Sequence, residues 1–99
     1  MQTLASRDIA EILKALQDYG LDVLFDEKIN EILIPALVTH ITIEYGDISM
    51  IQGDFELEYH NFSRKLYVYN EKKGEPLTIY FGRKSKAGYH NGHFWILPH

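Results

Sequence analysis

From residue 37 onward the chain alternates apolar and polar residues in short runs, each closed by a glycine-bearing or charged turn. In VTHITIEY the residues Ile41, Ile43 and Tyr45 share one parity, and Gly46-Asp47 follows as a turn. DISMIQ comes next, then a bend at Gly53-Asp54, then FELEY, with Phe55, Leu57 and Tyr59 set against Glu56 and Glu58. HNFSR leads into KLYVYN, EKKGEP into LTIYFGR, and KSKAGYHNG reads as a loop before a last run, HFWILP. A period of two marks a half-buried strand, because successive side chains leave opposite faces. Strands at this spacing with short turns make an antiparallel meander.

Ahead of the meander stands one helix. In SRDIAEILKALQDY, residues 6–19, the apolar Ile9, Ile12, Leu13 and Leu16 recur at i, i+3, i+4 and i+7, the stripe of a core-facing helix. Ser6 is the expected N-cap, Asp8 and Glu11 suit the positive end of the helix dipole, and Gly20 supplies a C′ residue able to take a positive φ. LDVLF (21–25) reads as a strand. For residues 26–38 two readings stand: a second helix capped by Asp26, or a hairpin turning near DEKIN with EILIP as its return strand. The hairpin is preferred, because a helix would enclose Pro35 at a cost of about 3 kcal/mol. The expected fold is α+β over residues 1–99 as one domain. Its N-terminal helix packs on one face of a curved antiparallel meander sheet of five to seven strands.

A helix of that length covers one face of such a sheet, not both. The other face is then Thr42 and Glu44, Glu56 and Glu58, Tyr67 and Tyr69, Thr78 and Tyr80, strand by strand. Tyrosines where water is expected have two explanations. Tyrosine has high β-propensity and pairs well across strands. It is also enriched in binding patches.

The chain has no cysteine, which removes disulfides, thiolate nucleophiles, zinc–thiolate sites and iron–sulfur clusters. The start, MQTLASRDIAE, shows no apolar signal-peptide core, and no apolar run is long enough to span a bilayer, so a cytoplasmic protein is expected. Charge is uneven along the chain. Residues 1–58 hold twelve of the fourteen acids and three of the ten bases, a balance of −9, whereas residues 59–99 balance at +5. Such asymmetry signals a polyanion-binding patch or a field that steers a partner, unless folding brings the halves together to neutralise each other.

Catalytic patterns are thin. His90 and His93 stand at an H-x-x-H spacing, but in a glycine-containing stretch and without the H-E-x-x-H of zinc proteases, so neither a metal nor another cofactor is expected. His60, His90 or His93 beside Arg64, Arg83, Lys84 and Lys86 could bind and cleave a phosphodiester, though no spacing is diagnostic. No serine lies in a G-x-S-x-G elbow, no P-loop or G-x-G-x-x-G occurs, and no RNP1 pattern is present. No catalytic residue is assigned.

The expectation is therefore a non-catalytic domain that binds another protein, most concretely as an inhibitor or immunity-type protein facing a basic partner. Its binding residues are Glu44, Glu56, Glu58, Tyr67, Tyr69 and Tyr80 on the open face, with Arg83, Lys84 and Lys86 in a rim loop running to His93. The alternative is a small nucleic-acid-binding or RNA-cleaving protein that uses the basic, histidine-containing stretch 83–93. Self-association as a homodimer is a third reading.

Overall fold

The computed structural model describes residues 2–99. The fold is α+β, with one short helix and mostly strands, in two sheets. In chain order the elements are β1 (Gln2–Ala5), α1 (Ile9–Tyr19), β2 (Leu24–Asp26), β3 (Glu31–Pro35), β4 (Leu37–Ile41), β5 (Ile48–Gln52), β6 (Phe55–His60), β7 (Lys65–Tyr69), β8 (Leu77–Tyr80), β9 (Lys86–His90) and β10 (His93–Leu97). The larger sheet has six strands in the order β1-β8-β7-β6-β5-β4. Its strands β4 to β8 are the expected meander, and β1 joins β8 in parallel. The smaller sheet, β2-β3-β10-β9, is antiparallel throughout.

The second sheet corrects the single-sheet expectation, and a length argument explains it. Eleven residues of helix are about 17 Å long, while six strands span about 24 Å. One helix leaves part of the meander's apolar face in water. The smaller sheet supplies the missing cover: Ile32 and Ile34 of β3 and Phe94 and Ile96 of β10 are fully buried in the same core as Leu57, Tyr59, Leu66, Val68 and Ile79. The rings of Tyr59 and Phe94 meet across the sheets with centroids 5.1 Å apart. Gln52 ties the sheets at their margin. Its Nε2 donates to the Pro35 and Asp22 carbonyls at 2.7 and 3.1 Å, and its Oε1 accepts from the Asp22 N–H at 2.8 Å.

The helix is placed by its stripe and its caps. Ile12 and Leu16 are fully buried, Tyr19 is buried, and Ile9 and Leu13 pack at the core's edge. The N-cap is Asp8 rather than Ser6. The Asp8 carboxylate accepts from the Ala10 and Glu11 amides at 2.9 and 3.4 Å, while the Ser6 hydroxyl accepts from the Asp8 amide at 3.0 Å. Gly20 closes the helix at φ 112°, and the Leu21 N–H reaches back to the Leu16 carbonyl at 3.1 Å.

One local expectation holds and two change. Residues 26–38 form the hairpin and not a helix, with β2 and β3 paired Asp26 to Glu31. Strand β4 ends at Ile41, so Thr42, Ile43, Glu44 and Tyr45 belong to a turn and share no sheet parity. The turn forms because Thr42 closes it: its hydroxyl and its amide both bond Asp47 backbone groups at 2.9 Å. The stretch 83–93 is not one loop, since Lys86–His90 form strand β9 and His93 opens β10. No helix among the described residues is long and apolar enough to cross a membrane.

Candidate functional site

The face of the six-stranded sheet turned away from the core is built by strand register. One row runs Leu37, Ile51, Glu56, Tyr69 across β4 to β7. The next runs Ser49, Glu58, Tyr67, Thr78 across β5 to β8, and a third runs His60, Lys65, Tyr80. Each tyrosine on β7 therefore stands directly opposite a glutamate on β6. Glu56 and Glu58 are exposed, as are Leu37 (68%), Tyr69 (38%) and Ile51 (37%), while Tyr67 and Tyr80 are half-buried. The His60 ring meets Tyr67 edge-on at 5.0 Å, and its Nε2 lies 3.3 Å from Glu58 Oε1. These contacts hold Tyr67 and Glu58 in defined positions on the open face.

Of the residues singled out from the sequence, this face brings together Glu56, Glu58, Tyr67, Tyr69 and Tyr80. Glu44 is displaced into the turn after β4. Arg83 and Lys84 follow β8 and line an open cleft of about 920 Å³ with Arg7, Asp8, Glu11, Tyr80 and His99. Lys86 opens β9 and so belongs to the other sheet. His90 and His93 lie at the opposite end of β9, about 13 Å of extended chain from Lys86. Strand β9 thus separates His90 and His93 from the cations that a phosphodiester-cleaving site would need beside them, whereas His60 stands on β6 beside Lys65. No group of three or more His, Asp or Glu side chains able to hold a metal ion occurs among the described residues.

The structure exposes two residues whose sequence parity put them in the core, Ile43 and Tyr45, and a third, Phe62, from a stretch that reads as a loop. Ile43 is 98% exposed, Phe62 97% and Tyr45 65%, on the turns after β4 and after β6. The alternating parity of Ile41, Ile43 and Tyr45 pointed the other way. The available signal was Phe62, an aromatic residue inside HNFSR, a stretch that reads as a loop.

Comparison of the chain with protein-family models, with curated proteins and with solved structures finds no match.

Proposed function

We propose that this chain is a small non-catalytic protein-binding domain, acting as an inhibitor or immunity-type protein on a basic partner through the open face of its six-stranded sheet. The observation that carries this reading is the pairing of Glu56 with Tyr69 and Glu58 with Tyr67 on an exposed face, flanked by exposed Leu37 and Ile51. Aromatic groups with a polar tip give contact area at low entropic cost, and the carboxylates between them steer a cationic surface into register. The face is a β-sheet fixed by the core beneath it, so little ordering cost falls on binding. The nucleic-acid alternative has less support. Glu56 and Glu58 would repel phosphates from the tyrosines, and His90 and His93 stand away from Arg83 and Lys84.

The test is to capture a partner from the source cell and titrate it at two salt concentrations. Tyr69→Ser with Tyr67→Ser is expected to weaken binding by about 2 kcal/mol or more per anchoring residue. Glu56→Lys with Glu58→Lys is expected to slow association and flatten its salt dependence. Wild-type affinity in the tyrosine double variant ends the proposal. Tight binding of single-stranded RNA by the wild type, strengthened by the glutamate changes, would favour the alternative.

A further inference from the structure

At one end of the six-stranded sheet lie the turn after β4, the turn after β6 and the segment after β8. Strand directions fix this, because β4, β6 and β8 all finish there and β1 finishes beside β8. Following the strand order across this end, Arg7 comes after β1, Arg83 and Lys84 after β8, Phe62 between β7 and β6, and Glu44 between β5 and β4. The β8 side carries the cations Arg7, Arg83 and Lys84, with Asp8 and Glu11 in the same cleft, and the β4 side carries the Glu44 carboxylate. Neither Glu44 nor Arg83 nor Lys84 makes an ion pair among the described residues.

The centre of the order β1-β8-β7-β6-β5-β4 falls at the turn that carries Phe62. From that centre, the midpoint of β4 and β5 and the midpoint of β8 and β1 are each two strand spacings away, about 10 Å. A two-fold axis through the Phe62 turn and normal to the sheet reverses this order, and lays Glu44 of one copy over Arg83 and Lys84 of the other. It also sets Phe62 against its own symmetry mate. This is the self-complementarity that an isologous interface requires.

The apolar groups at this end are held in place, not left on slack loops. The Asn61 N–H donates to Asp47 Oδ1 at 2.9 Å, and Asn61 Nδ2 donates to the Tyr45 carbonyl at 3.1 Å. Arg64 Nη1 donates to Asn61 Oδ1 at 3.1 Å. The two turns thus form one hydrogen-bonded unit that presents Ile43, Tyr45 and Phe62 to solvent. Ile43 and Phe62 are almost wholly exposed and Tyr45 largely so, and an ordered apolar cluster of this kind marks a contact surface.

We propose that this end of the sheet is a two-fold interface between two copies of the chain. Phe62 sits at the axis, and Glu44 of each copy faces Arg83 and Lys84 of the other. The proposal uses a different surface from the open sheet face and leaves that face free, so either can fail without the other.

Sedimentation equilibrium of the purified protein tests it. A dimer is expected at about 100 µM and low salt, weakening as salt is added. Phe62→Asp is expected to raise the dissociation constant about tenfold or more with the melting temperature unchanged, since Phe62 is 97% exposed. Glu44→Lys alone and Lys84→Glu alone should each weaken the dimer, and the two together should restore it, because the swapped pair is again complementary. A wild-type protein that stays monomeric throughout overturns the proposal. So does a dimer indifferent to Phe62→Asp, or single charge reversals that the double reversal fails to rescue. Growth beyond the dimer also overturns it, because a two-fold contact closes.

Discussion

Tyr59 carries a hydroxyl that the core does not use. The residue is 1% exposed, on the inner face of β6, with its ring against Phe94. Its hydroxyl oxygen is buried and has no hydrogen-bond partner among the described residues. A buried hydroxyl without a partner costs about 1–3 kcal/mol in lost hydration. Tyr59→Phe removes that cost and keeps the ring, its contact with Phe94 and its place in the sheet. What is lost is the dispersion of one oxygen with its neighbours, about 0.1–0.2 kcal/mol for each contact and so less than about 1 kcal/mol in all. The balance favours the variant by about 1 kcal/mol. For a domain of this size that corresponds to a rise in melting temperature of about 4–8 °C. Thermal and urea melts of the two proteins, followed by far-ultraviolet circular dichroism, read it directly. Most core substitutions destabilise, so the sign is discriminating. A fall in melting temperature would mean that the hydroxyl is satisfied in solution, and the reasoning from burial would fail at its first step.

Two further outcomes bear on the frame that holds the surfaces. Leu16→Ala empties a fully buried site on the helix stripe and should cost about 2–5 kcal/mol, a large share of the 5–15 kcal/mol typical of a domain; a melting temperature within a degree or two of wild type would show that the helix does not anchor the core. Gly88→Ala should cost about 1–3 kcal/mol and shift the emission of the chain's one tryptophan, because a Cβ at Gly88 would meet the Trp95 ring at 2.9 Å; unchanged fluorescence and stability would mean that the ring does not lie over the glycine.

What could be read from the sequence divides along the range of the interactions. The helix was legible because its stripe and Gly20 act within a few residues of themselves. Only the cap was misassigned: Ser6 and Asp8 both have capping side chains, and the choice between them is one of backbone direction. The strands of the meander were legible because each neighbour in sequence is also a neighbour in space. So were Glu56, Glu58, Tyr67, Tyr69 and Tyr80, whose parity follows from the same alternation. The smaller sheet was not, because it joins two hairpins far apart in the chain: Trp95 of β10 pairs with Leu33 of β3. Strand β9 was read as loop because KAGYH is poor in β-branched residues. Its glycine is there to pass beneath the Trp95 ring, a reason that appears only once β10 is in place. Ile43 and Tyr45 misled because parity holds only while the strand lasts, and the bonds between Thr42 and Asp47 end it at Ile41.

The charge asymmetry of the chain has a geometric fate that follows from the same connectivity. In a meander, position along the sequence becomes position across the sheet. Strands β4 to β8 lie side by side in chain order, so within the meander the acids from Glu44 to Glu58 fall on the β4 to β6 side and Arg83 and Lys84 fall beyond β8. The N-terminal segment tempers the polarity. Strand β1 pairs with β8, not with β4, and so carries Arg7, but also Asp8 and Glu11, to the side where Arg83 and Lys84 already stand. The acids that survive on the open face, Glu56 and Glu58, sit on β6 in the middle of the sheet, opposite Tyr69 and Tyr67. A partner meeting the face from the front is met by its carboxylates and tyrosines. A second copy meeting the end of the sheet meets Glu44 on one side and Arg83 and Lys84 on the other, and such an order is matched best by its own reverse.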